Sequence, residues 1–157
     1  MRAVAAEPQL KSVRAHGLRR GSMRTESAVR SFTVVADEPH AVGGTDTAPT
    51  PMELIASAVN GCLGVVVETV AAELGLTLRA LETTSHAHID VRGFQGTAEV
   101  SPHFRDYRLT VTVGIDGSEQ ERAELRRLSE KRCPALNLVR DAGVDMDLEW
   151  RFEPGPR

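Results

Sequence analysis

The sequence lacks the features that mark nucleic-acid-binding, exported or membrane-spanning proteins. Its formal net charge is -3, so there is no general reason to expect a nucleic-acid partner. The basic start of the chain is not followed by an apolar segment and a small-residue cleavage site, so we expect no export signal. The longest apolar run, residues 54–67, contains Asn60 and ends before Glu68. It falls short of the roughly 18 residues that a membrane span needs, so we expect no membrane partner.

Cysteine is scarce: the only two are Cys62 and Cys133. In a chain without an export signal, a cysteine pair is more often catalytic or redox-active than a permanent disulfide, because the cytoplasm is reducing. The cysteine usage therefore predicts a cytoplasmic protein with a functional thiol pair.

The length and the charge distribution indicate one domain with a loose start. A chain of 157 residues suits a single domain with a hydrophobic core, and it shows no internal repeat or low-complexity segment. The first 30 residues carry seven Lys or Arg and two Glu, which is typical of a solvated chain end. We expect residues 1–10 to be disordered and residues 11–157 to form one domain.

Alternating apolar residues predict strands early, in the middle and at the end of the chain. The predicted extended segments are residues 13–18, 23–37, 78–91, 107–115 and 144–152. Two helical regions lie between them, at residues 51–74 and 119–140. This order predicts an α+β fold with a mainly antiparallel sheet.

Both helical regions begin with a capping box, in which the cap side chain and a glutamate three residues later bond each other's backbone N–H. Thr50 and Glu53 form the first pair, with Pro51 at the first helical position. Ser118 and Glu121 form the second.

Cys133 precedes Pro134, which disfavours helical geometry at the cysteine and can begin a new helix. At such a cap position the sulfur lies near unpaired N–H groups and the positive end of the helix dipole. Lys131 and Arg132 add positive charge just before it. These features predict a reactive thiolate; the alternative is an inert cysteine at a helix junction.

Cys62 lies on the apolar first helix, where a lone cysteine is usually a small core residue with a raised thiol pKa. However, Gly61 and Gly64 flank it, and each costs roughly 1 kcal/mol relative to alanine in a helix interior. Such a cost is typical of a place that a ligand or a backbone approaches closely. From these residues alone, both interpretations of Cys62 stay open.

Two segments together, TPMELIASAVNGC (residues 50–62) and KRCPALNLV (residues 131–139), resemble the OsmC/Ohr family of osmotically induced and organic-hydroperoxide-resistance proteins. That family has a proline-led central helix with the pattern P-x-E-L, then small residues and a cysteine. A second cysteine, often followed by proline, comes much later. The loop DEPHAVGGTDTAPTP (residues 37–51) resembles one branch of the family, and the resemblance extends from about residue 18 to the end of the chain.

The resemblance implies an intertwined homodimer in which sheets of both subunits wrap long central helices, with active sites at the interface. It also implies an oxidoreductase of the oxidative-stress response, a cysteine-based peroxidase that needs no cofactor. Cys62 would attack the organic hydroperoxide, Cys133 would resolve the sulfenic acid to a disulfide, and an external dithiol would reduce the pair. The apolar surroundings of Cys62 would then suit an oily substrate.

One departure concerns the arginine–glutamate pair that holds the thiolate in the well-studied family members. Met52 stands where they have glutamate. Glu53 does not replace it, because nine residues at about 100° each put it on the opposite helix face from Cys62. Arg24 is the best match to the family arginine, with Arg20 as the alternative. We expect weaker or different peroxidase activity, and the competing function is a non-catalytic protein that binds a small apolar ligand at the dimer interface.

His86, His88 and Asp90 fall on one face of a predicted strand. A solvated polar strand face is favoured over a metal site, because no further ligand cluster accompanies them. We therefore expect no metal.

Overall fold

Six strands and four α-helices make up the part of the chain that the structure, a computed structural model, describes, residues 7–154. The strands are β1 (His16–Arg19), β2 (Thr25–Val29), β3 (Phe32–Ala36), β4 (Leu78–Ile89), β5 (Phe104–Ile115) and β6 (Asp145–Glu153); the helices are α1 (Pro51–Glu73), α2 (Val91–Gln95), α3 (Glu119–Arg132) and α4 (Pro134–Asp141). The strands form two three-stranded sheets, which confirms the predicted α+β class. Of the predicted disordered terminus, residues 1–6 lie outside the described residues.

The chain divides into two compact units, the first ending at Leu54 and the second beginning at Ile55. In the first, β1, β2 and β3 form an antiparallel sheet in that order. The extended segment predicted at residues 23–37 is thus two strands. The chain reverses at Arg30, whose φ of 57° is the left-handed conformation of a tight turn, and alternation alone does not reveal such a reversal.

The first unit has almost no buried side chains. Among residues 7–54 only Asp37 is buried. Apolar side chains of its sheet stay exposed, including Leu18, Phe32 and Val34.

In the second unit, β4 pairs with β5 antiparallel and β5 with β6 parallel. The parallel pair forms because α3 and α4 carry the chain between the two strands. The sheet is therefore mainly antiparallel, as predicted, with one parallel edge. Alternate residues of β5 are buried, which confirms the predicted core face: Tyr107, Leu109, Val111, Val113 and Ile115.

Helix α1 buries one stripe and exposes the other side. The buried stripe has the helical spacing expected of a core-facing surface: Val59, Leu63, Val67, Val70 and Ala71. On the other side Ile55 and Val65 are exposed. By length and composition alone, α1 is long and apolar enough to cross a membrane, although its longest apolar run is shorter than a membrane span needs. A core helix of a soluble protein passes the same test.

A hydrogen-bond chain explains the amide side chain of Asn60 within the apolar run. Tyr107 donates its hydroxyl to Ser85 Oγ at 2.8 Å, and Ser85 donates to Asn60 Oδ1 at 2.5 Å. These bonds tie α1 to β4 and β5. They allow Asn60 to lie among apolar neighbours without an unsatisfied carbonyl.

Both predicted capping boxes are present. Glu53 Oε2 accepts from Thr50 N at 2.7 Å, and Glu121 Oε2 accepts from Ser118 N at 2.8 Å. Helix α1 ends at Glu73, one residue before the predicted end.

Candidate active site

Cys133 occupies the junction between α3 and α4, with Pro134 as the first residue of α4. The predicted cap position is therefore confirmed. Asn137 holds this junction, because its Nδ2 donates to the carbonyls of Glu130 at 3.0 Å and of Cys133 at 2.8 Å. The Glu130 carbonyl would otherwise lack a helical partner, because the residue four positions later is Pro134, which has no N–H. Asn137 was not predicted from the sequence, although an asparagine four residues after a helix-ending cysteine is a usable signal.

Cys62 and Cys133 are close enough for the Cys62 thiol to act on the pKa of Cys133. Cys62 is half-buried on α1, Cys133 is completely buried, and both are free thiols. The fold therefore brings together the two cysteines that the sequence analysis singled out.

The electrostatics of Cys133 differ from the prediction. Burial raises the pKa of its thiol from 9.0 to about 11, and the neighbouring Cys62 acts in the same direction. The N–H groups of Leu136 and Ala135 at the start of α4 lower the pKa as predicted, but desolvation of the charged form outweighs them. The predicted thiolate at Cys133 was therefore wrong.

Arg132 does not supply the predicted positive charge, because its guanidinium is engaged elsewhere. It forms a bidentate ion pair with Glu73 at the end of α1, with Nη2 3.0 Å from Oε1. This pair joins the end of α3 to the end of α1.

Neither Gly61 nor Gly64 is needed to make room for another residue of the described chain. A Cβ added to Gly61 would have nothing within 4 Å, and one added to Gly64 would meet Leu81 Cδ2 at 3.7 Å, an ordinary contact. The close approach inferred from these glycines therefore remains a prediction about a ligand or a second subunit.

Arg24 and Arg20 share one carboxylate. Arg24 Nη2 lies 3.2 Å from Glu26 Oε1, and Arg20 Nε lies 3.1 Å from Glu26 Oε2. Arg24 also donates from Nη1 to Thr47 Oγ1 at 2.8 Å. Of the two candidate arginines, Arg24 is thus held from two sides.

Asp37 organises the loop that contains Thr47. Its buried carboxylate accepts from the backbone N–H and the hydroxyl of both Thr45 and Thr47, at 2.5 to 3.2 Å, and from Glu38 N at 2.8 Å. These hydrogen bonds hold the pKa of Asp37 far below its usual range; that of the Thr45 hydroxyl contributes most. Gly44 is required here, because a Cβ would come within 1.8 Å of the Glu38 carbonyl oxygen. Sequence reasoning missed Asp37; the threonines of GGTDT were the available signal.

Glu53 has the structural role predicted for it, since its carboxylate is used by the capping box. Met52, at the family's glutamate position, is half-buried.

The histidine-containing face of β4 forms pairs with neighbouring residues. His88 Nδ1 lies 2.7 Å from Asp106 Oδ1, whereas Asp90 caps α2 and pairs with Arg92. Within residues 7–154, no group of three or more His, Cys, Asp or Glu is arranged to hold a metal ion.

The family model of OsmC-like proteins matches residues 44–149. The chain belongs to the OsmC-like family. The match covers both cysteines, which confirms the resemblance inferred from their motifs.

Solved structures of OsmC-like proteins share the fold. An OsmC-like protein from Mycoplasma pneumoniae gives a TM-score of 0.75 at 16% identity, over 93% of this chain and 99% of that one. Two organic hydroperoxide resistance proteins also match. The one from Legionella pneumophila gives a TM-score of 0.66 at 22% identity, over 92% of this chain and 99% of that one. The one from Elizabethkingia anophelis, with thiocyanate bound, gives a TM-score of 0.70 at 15% identity, over 94% of this chain and 100% of that one. No curated protein matches the chain.

Proposed function

We propose that this OsmC-like protein is a thiol peroxidase that reduces organic hydroperoxides through Cys62 and Cys133. The observation that carries the proposal is the proximity of these two thiols, which come from α1 and from the junction of α3 and α4, far apart in sequence. A disulfide needs two sulfurs that can meet without rearrangement of the backbone. The organic hydroperoxide resistance named for two structural relatives agrees with this chemistry.

The different environments of the cysteines support their separate roles. Cys62 is partly accessible, as an attacking thiol must be, whereas Cys133 is completely buried. Burial raises the pKa of Cys133, so this residue stays a protonated thiol at neutral pH. A buried thiol of this kind is protected from direct oxidation and suits the resolving role.

The proposed reaction has three balanced steps. The Cys62 thiolate attacks the terminal oxygen of the hydroperoxide; the O–O bond breaks, Cys62 becomes a sulfenic acid, and the alkoxide leaves as an alcohol after taking up a proton. The Cys133 sulfur then attacks the Cys62 sulfur, giving a disulfide and releasing the hydroxyl group with the Cys133 proton as water. An external dithiol reduces the disulfide by thiol–disulfide exchange and is itself oxidised to a disulfide.

Arg24 is proposed to stabilise the Cys62 thiolate, because a nearby guanidinium favours the charged form of a thiol. With Met52 in place of the family's glutamate, we expect the peroxidase to be slower than well-studied family members.

The active form is proposed to be a homodimer. Leu18, Phe32 and Val34 of the first sheet are exposed, and so are Ile55 and Val65 on α1, the helix that carries Cys62. A three-stranded sheet without buried apolar side chains gains little stability from its own packing. A second copy that covers these surfaces would supply that burial and an apolar environment for the substrate.

A second candidate function is the binding of a small apolar ligand at the same interface without turnover. The observation in its favour is the carboxylate of Glu53, which caps α1 and leaves Met52 at the family's glutamate position.

The deciding experiment counts thiols by intact mass after oxidation. The reduced protein is treated with tert-butyl hydroperoxide or with hydrogen peroxide, and the remaining thiols are then alkylated. We expect rapid loss of both thiols to one intramolecular Cys62–Cys133 disulfide, faster with the organic peroxide.

Two variants serve as controls. Cys133→Ser should stop at a sulfenic acid on Cys62, whereas Cys62→Ser should leave Cys133 alkylatable after unfolding. If both thiols of the unaltered protein stay reduced, or oxidise slowly and independently, the peroxidase proposal is wrong and ligand binding takes its place.

A further inference from the structure

The guanidinium of Arg24 is held by partners other than the glutamate that the resemblance implies at position 52. Glu26 binds one of its terminal nitrogens, and the Thr47 hydroxyl accepts from the other. Glu26 also binds Arg20, so its carboxylate is divided between two arginines. Thr47 is therefore the partner that contacts Arg24 and not Arg20.

Thr47 is itself fixed by the buried carboxylate of Asp37. Its backbone N–H and its hydroxyl both donate to Asp37 Oδ2, at 3.0 and 2.9 Å. With its proton directed to a carboxylate, the hydroxyl presents only its oxygen to Arg24 and becomes a stronger acceptor. Arginine has several rotatable bonds, and fixing them costs entropy unless its partners are already in place.

We infer that Thr47, anchored by Asp37, is a positioning residue that orients the guanidinium of Arg24 in the absence of the family's glutamate at position 52. The inference rests on the proposed function, in which Arg24 stabilises the Cys62 thiolate. Asp37 and Thr47 act on the reaction only through Arg24.

Thr45 offers a matched control in the same loop. Its hydroxyl donates to Asp37 Oδ2 at 2.5 Å, as that of Thr47 does, and lies 3.1 Å from Thr47 Oγ1, but the hydrogen bonds of Arg24 go to Thr47 and Glu26. Thr45→Val and Thr47→Val each remove one hydroxyl donated to Asp37. Only Thr47→Val also removes an acceptor of Arg24.

The test measures the rate at which iodoacetamide alkylates Cys62 from pH 5 to 9, with peptide mass spectrometry assigning the site in the full chain. We expect Thr47→Val to shift the Cys62 profile to higher pH and to slow alkylation at pH 7 by about three- to tenfold. Thr47→Ser, which keeps the hydroxyl, should restore the rate. Thr45→Val should lower thermal stability but leave the profile unchanged.

A double variant decides whether the effect passes through Arg24. If it does, Thr47→Val adds nothing in an Arg24→Met background. The inference is overturned if Thr47→Val leaves the profile unchanged, if it slows Arg24→Met further, or if Thr45→Val shifts the profile equally. Alkylation does not require peroxide, so this outcome is separate from the disulfide test of the proposed function.

Discussion

Asp37 and Cys133 are both completely buried titratable groups, one in each unit. The pKa of Asp37 is lowered, which favours its charged form, whereas the pKa of Cys133 is raised, which favours its neutral form. Asp37 has five hydrogen-bond donors and stays ionised. Cys133 lies in a mainly apolar environment, and its neutral form is favoured. Burial alone therefore does not determine the charge of a group; the polar partners supplied with it do.

The same contrast holds for the units as a whole. All the buried hydrophobic residues that the structure describes belong to the second unit, whereas the single buried residue of the first is the carboxylate of Asp37. The first unit is organised by hydrogen bonds around one charge, and the second by an apolar core. A unit organised in this way depends on additional burial for stability.

The largest expected effect comes from breaking the apolar core. Leu109→Ala removes a completely buried side chain of β5 and should lower the free energy of unfolding by about 2–5 kcal/mol, since it loses apolar burial and leaves a cavity. Leu138→Ala, at a side chain that is 73% exposed, is the control and should cost less than about 0.5 kcal/mol. Urea denaturation measures both, and equal losses would contradict the assignment of the core.

A smaller effect should appear at high pH through Cys133. The pKa of Cys133 is higher in the folded protein than in the unfolded chain. The contribution of its neutral thiol to folding stability is therefore fully present below pH 9.0 and is lost as the pH rises towards about 11. In wild type the free energy of unfolding should fall by on the order of 1 kcal/mol over this pH range, and Cys133→Ala should remove this fall. Burial also raises the pKa of Tyr107, but this residue affects the pH dependence of stability equally in wild type and in Cys133→Ala. Parallel stability curves for wild type and Cys133→Ala would rule out this linkage.

The smallest change is expected at low pH through Asp37. Its folded pKa is lowered, so its stabilisation is present above the ordinary value of 3.8 and is lost progressively as the pH falls below it. Asp37→Asn should therefore be less stable than wild type at pH 7, with a gap that narrows by pH 3. Urea denaturation at the two pH values measures the gap. A gap that stays constant would mean that the charge of Asp37 contributes nothing to stability.

Much of the secondary structure could be predicted from the sequence because its signals are local. The capping residues Thr50 and Ser118 begin their helices as predicted, and Pro134 begins α4. Alternation identified the buried face of β5 because side chains alternate across a strand. The hairpin at Arg30 was missed, because a single residue in the left-handed conformation carries no such pattern.

The sequence by itself determined α1, α3 and α4, most of the strands, the two cysteines and their family motifs. Only the tertiary structure decided that the two cysteines are neighbours, that burial raises the pKa of Cys133, and that Thr47, bonded to Asp37, accepts a hydrogen bond from Arg24. The physical reason is that capping and alternation depend on residues a few positions apart. Desolvation and hydrogen bonding depend on which distant residues surround a group, and folding alone determines those neighbours.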